Sequence, residues 1–128
     1  MSTRSFESAV DSCRPADAEP VALPASALET TAPEYLRDLK YELGAAGKVP
    51  AEVTLSVAFD ENCSFATQDV AETIREYVRA TAFLGAGRLA LTVESVADES
   101  KVEPALTAAK ERARREGVTL TVDGPVTV

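Results

Sequence analysis

A chain of 128 residues, 45% of them hydrophobic, is long enough to fold as one domain that buries about two thirds of its unfolded surface, so it needs no disulfide or metal staple. Its 21 acidic residues against 13 basic ones leave a formal net charge of −8, which repels phosphate backbones and argues against a nucleic-acid partner. No run approaches the ~20 apolar residues of a membrane-spanning helix, and the absence of histidine removes the commonest general base and histidine metal sites.

The opening stretch "MSTRSFESAVDSC" has no apolar core of the kind a secretory leader requires, so a cytoplasmic location is expected. Phe6, Val10 and Cys13 fall at roughly helical spacing and suggest a turn or two of helix. Residues 14–33 hold four of the seven prolines and show no period. The expected division is therefore a Pro/Ala-rich N-terminal arm or linker over 1–32 and an α/β domain over 33–128, with "PVALP" able to add an edge strand. Thr31 followed three residues later by Glu34, with Pro33 between, matches a capping box. It predicts a helix from Pro33 to Ala46 with Leu36, Leu39 and Leu43 on its apolar face.

Next, "AEVTLSVAF" alternates strictly, with Val53, Leu55, Val57 and Phe59 on one face and Thr54, Ser56 and Ala58 on the other, which predicts a strand with one buried face. Thr67 or Ser64 can cap a second helix reaching Leu84, with Val70, Ile74, Tyr77 and Val78 inward and Glu72, Arg75, Glu76 and Arg79 outward. "RLALTVESV" alternates again as a second strand, with Leu89, Leu91 and Val93 inward. A third helix is expected from Val102 to Glu116 on an inner face of Val102, Leu106, Ala109 and Ala113. "VTLTVDG" then gives a strand with Val118, Leu120 and Val122 inward.

Alternation of helix and strand implies mostly parallel pairing with right-handed crossovers. In a doubly wound sheet the central strands read as continuous apolar runs, and these do not. The expected fold class is therefore α/β, a two-layer sandwich with helices packed on one face of a small, mostly parallel sheet of three to four strands. Its other face is flat and rich in threonine: Thr54, Ser56, Thr92, Thr119 and Thr121, with charge only at Glu94 and Asp123. Depletion of charge is a mark of an interface core, so this face is the candidate interaction surface.

Catalysis has little to work with. "GAG" at 85–87 follows a helix and precedes a strand, the reverse of a phosphate loop, and reads as a helix stop. Two cysteines, Cys13 and Cys63, fit a reducing compartment, although a bridge between them is arithmetically possible. Cys63 precedes a helix, yet Asp60, Glu61 and Asp69 surround it, which does not favour a reactive thiolate; it is expected to pack under its loop with Phe65. Asp60, Glu61, Asp98, Glu99 and Glu103 follow predicted strands and could share one sheet edge, the basis for an alternative reading as a small metal-dependent enzyme. Cations concentrate in "KERARREG", where Lys110, Arg114 and Arg115 suit the negative end of a helix dipole.

The stretch from "VAFDENCSFATQDVAETI" through "RLALTVESVADESKVEPALTAAKERARREGVTLTVDGPV" resembles the strand-helix-strand core of STAS domains, the sulfate-transporter and anti-sigma-factor-antagonist family, over roughly residues 51–126. The family's phosphorylatable serine lies in an Asp-Ser-Ser-Gly turn; here "DESK" keeps Asp98, displaces the serine to Ser100 and lacks the glycine. The resemblance implies, as an alternative, a regulatory domain. The expectation from the residues themselves is a non-catalytic protein acting by protein-protein interaction or self-assembly, a homodimer included, without cofactor, metal, membrane or nucleic acid. With only four lysines against nine arginines and abundant alanine, the acidic composition is similar to that of cytoplasmic proteins of salt-loving archaea.

Overall fold

Alternating side chains and helix stops set out the chain as β1 (Glu19–Pro24), a short 3-10 turn (Ala25–Ala27), α1 (Pro33–Ala45), β2 (Lys48–Phe59), α2 (Ser64–Leu84), β3 (Arg88–Val96), α3 (Glu99–Arg115) and β4 (Thr119–Asp123). The computed structural model describes residues 18–61 and 63–126. The helical turns expected around Phe6 and Val10, and Cys13 with its possible bridge, lie outside the described residues. The four strands form one sheet in the order β1-β2-β3-β4, and every neighbouring pair is parallel. Sequential order with crossovers of one hand returns each helix over the same side. The architecture is a two-layer α/β sandwich.

Burial follows from that order. Val53, Leu55, Val57 and Phe59 of β2, Leu89, Leu91 and Val93 of β3, and Leu120 of β4 are all buried under the helices. Facing them are Leu36 of α1, Ile74 and Val78 of α2, and Val102, Leu106, Ala109 and Ala113 of α3. The expected inner face of α3 is buried throughout, while on α1 and α2 Leu39, Leu43, Val70 and Tyr77 are only half-buried, and Leu43 is not among the residues packed against the core. The small residues on α3 let its backbone approach the sheet closely. Register slips occur between Val21 and Ala22 and again past Val57, where Phe59 pairs with Val96; one extra β3 residue is accommodated there.

Residues 19–28, read from composition as part of an arm, contribute the edge strand and two core residues, Ala25 and Leu28. The edge strand that "PVALP" was able to add is present, and the prolines at positions 20 and 24 are tolerated in it because a strand at an edge needs few ladder donors. The capping box at Thr31 does not form. Ala32 is the N-cap of α1 and has no side-chain cap, while Thr31 Oγ donates to Glu76 Oε1 of α2 at 2.6 Å and so ties two helices together. The N-cap position of α2 is Cys63 rather than Ser64 or Thr67, and Thr67 Oγ donates back to the Cys63 carbonyl at 3.1 Å. Helix α3 starts earlier than expected, at Glu99, because Asp98 caps it through the Ser100 N–H at 3.0 Å.

Gly85 ends α2 in the left-handed region, at φ 78°. Gly124 is held by contact as well as conformation: its φ is 136°, and a Cβ there would fall on the Val93 carbonyl oxygen. Gly44, in α1, has open space around the position its Cβ would take. Gly124→Ala is expected to destabilise by about 1–3 kcal/mol, whereas Gly44→Ala should stabilise by about 0.5–1 kcal/mol. Paired denaturant titrations check both; equal effects would refute the close approach at Gly124.

Candidate functional site

Among the described residues one face of the sheet is uncovered, and strand register arranges its residues in rows. Glu52 of β2 pairs in register with Arg88 of β3, which pairs with Thr119 of β4. The next row is Thr54, Ala90 and Thr121, and the one after is Ser56, Thr92 and Asp123. Ser56, Thr92, Thr119 and Thr121 are exposed, and Thr54 is half-buried. All five residues expected on this face therefore share it. Period-two geometry requires this once their neighbours point into the core.

Charge is more ordered on the face than the sequence suggested. At the end where the strands begin, Arg88 and Glu52 approach to 3.7 Å; Glu94 and Asp123 lie towards the other end. Glu52 and Arg88 were missed as members of the face, although extending the alternation of each strand by one step would have found them. Between these ends the surface is neutral and made of short side chains. Beside the Glu52–Arg88 pair a shallow depression of about 550 Å³ runs to the β1 edge, lined by Val21, Ala22, Ala51 and Thr119 among others.

The acidic loop edge does not form a metal site among the described residues: no group of three His, Cys, Asp or Glu side chains comes together there. Asp60 accepts a hydrogen bond from Ser95 Oγ. Asp98 accepts from both the backbone N–H and the hydroxyl of Ser100, the latter at 2.6 Å. The serine on which the STAS resemblance rests is therefore part of an exposed helix cap. Cys63 is exposed rather than packed, and Phe65 is 82% exposed. The physical reason is phase: Phe65 precedes Ile74 by two and a half helical turns and so lies on the side opposite the core. At the other end of the helix layer, Arg114 is bonded to Glu111 at 2.6 Å, and Arg112 pairs with Glu116 at 3.4 Å.

A family model described as a domain of unknown function (DUF8564) matches residues 17–122. The chain belongs to that family. The matched span opens ahead of β1, so the family unit includes the edge strand and reaches across the whole sheet. No curated protein and no solved structure matches the chain. No helix among the described residues is long and apolar enough to cross a membrane.

The Asp98 cap also sets a pH dependence. The Ser100 hydroxyl, more than any other partner, holds the Asp98 carboxyl below its ordinary range; partial desolvation opposes this, and the Ser100 N–H and the Lys101 charge add to it. A folded-state pKa below the unfolded one gives stability that is present above the unfolded value and lost as pH falls through the folded value. Asp98→Ala is expected to lower the melting temperature near neutral pH, with the gap to the parent protein narrowing in acid. A gap that stayed constant into acid would remove the carboxylate as its cause.

Proposed function

We propose that this domain is a non-catalytic assembly module whose uncovered sheet face packs against the same face of a second copy. One observation carries the reading: the sheet is entirely parallel, and among the described residues one of its faces has no covering layer. Sheets of that kind are ordinarily covered on both faces, whereas antiparallel sheets commonly leave one to solvent. A face of threonine, serine and alanine is flat enough to accept a second sheet at the ~10 Å spacing of a sandwich.

Charge supports a two-fold arrangement. An axis lying in the interface and perpendicular to the strands would place Arg88 of one copy above the Glu94 and Asp123 end of the other, and the converse. Four strands at ~4.8 Å and about six residues at ~3.3 Å give a footprint on the order of 400 Å² per copy. That is half a standard interface, so the association is weak and concentration-dependent. Capture of a different protein on the same face is the second form of the reading.

Sedimentation or light scattering over a concentration series tests it. The parent protein is expected to shift from monomer to dimer mass as concentration rises, and Ser56→Lys and Thr92→Lys, in the middle of the face, should hold it monomeric with unchanged melting temperature. Dimerisation retained in both variants would place the contact elsewhere, and a monomer at every concentration would refute self-association.

We also read the −8 charge as an adaptation to a salt-rich cytoplasm. Lowering potassium chloride from about 2 M to about 0.1 M lengthens the screening distance to ~10 Å and exposes the acidic surface to its own repulsion. The melting temperature should fall over that range; a flat or rising profile would refute the adaptation.

A further inference from the structure

The opposite side of the molecule carries a surface that the assembly reading does not use. Helices α2 and α3 run side by side over the sheet, and between them lies a groove of about 480 Å³. On α3 it is lined by Lys101, Ala105, Ala108, Arg112 and Arg115, spaced four, three, four and three, so one helix face supplies them all. Gln68, Ala71 and Arg75 face them from α2. Four cations and no carboxylate line this groove, in a chain where acids outnumber bases 21 to 13.

Two of the four cations are held by neighbouring carboxylates. Arg75 pairs with Glu72 at 2.9 Å and Arg112 with Glu116 at 3.4 Å, and both acids border the adjoining pocket rather than this one. Among the described residues, Lys101 and Arg115 form no salt bridge. The helix dipole accounts for cations in the last turn of α3, but it does not account for Lys101 near the first turn or for Arg75 on another helix. Alanines at the centre leave room for a ligand body, and a volume of this size suits a small molecule.

We propose that the α2–α3 groove binds a small, multiply charged anion, its phosphate or carboxylate groups held by Arg75, Arg112 and Arg115 at one end and its body resting on the alanine floor, which runs towards Lys101 about 16 Å further along α3. Guanidinium forks match such oxygen pairs in a bidentate manner, and a cleft of one sign concentrates the field. Pyrophosphate, ADP and citrate are the probes, titrated calorimetrically at an ionic strength held constant with chloride. Binding of at least one is expected, and which one binds separates phosphate from carboxylate recognition. Arg112→Ala with Arg115→Ala should weaken it roughly tenfold or more while leaving the far-UV spectrum unchanged. Arg115→Ala alone, an exposed change, is the second variant if the pair unfolds. Ser56→Lys, on the far side of the sheet, should leave binding intact, so failure of the assembly reading and failure of this one are distinguishable. Absence of binding by all three probes, affinity unaffected by the variants, or binding of an acidic peptide in place of the small anions would each overturn the proposal.

Discussion

Every strand of this domain hydrogen-bonds to the next strand in the chain, in parallel, and the rest of the structure depends on that constraint. Parallel neighbours require a crossover, and successive crossovers of one hand in one direction all return over the same side of the sheet. The helices therefore share one layer. Val53, Leu89 and Leu120 lie beneath it in adjacent strands, while the residues between them along each strand receive no cover from the helices. A strand order that reversed direction from the first strand outward would have put helices on both sides.

Because the strands are amphipathic, the sheet was legible in the sequence. Alternation in β2, β3 and β4 fixed which side chains point inward and, by difference, which make up the open face. Helix stops at Gly85 and Gly117 were equally plain, since each residue takes a positive φ. Local patterns failed where a distant partner intervened. The Thr31–Glu34 spacing matches a cap, yet the Thr31 hydroxyl bonds to Glu76, 45 residues further on, which no local pattern encodes. Hydrophobicity misled at Phe65, whose helical phase outweighs its apolar character. The basic groove was not legible in "KERARREG", whose expected stripe of Lys110, Arg114 and Arg115 shares only Arg115 with it. The informative spacing was the one from Lys101 through Arg112 to Arg115, and its meaning appears only when Arg75 of another helix is brought alongside.

An acidic protein spends few cations, which makes their placement informative. Of its nine arginines, Arg114 is tied to Glu111 on the same helix and Arg88 to Glu52 across two strands. Exposed pairs of this kind add little stability, so their positions are better understood as shaping local fields. Arg88 and Glu52 mark one end of a sheet face that is neutral in its middle, and Arg75 and Arg112 line a groove between helices. The two layers thus present different chemistry: short neutral side chains on one, and cations around alanine on the other.

Edges explain why contact through the open face is physically preferable to strand addition. A sheet can recruit a partner by extending its ladder, and both outer strands here are poorly suited to that. β1 is six residues long with prolines at 20 and 24, each lacking an N–H donor. β4 has five residues and is followed by Gly124, drawn against the Val93 carbonyl, and then by Pro125. Short edges interrupted by proline are the usual protection against ladder extension. With the helix side sealed and both edges blunted, the threonine face is the broad flat surface left on the sheet, and a second layer placed there would give the parallel strands the two-sided burial they ordinarily have.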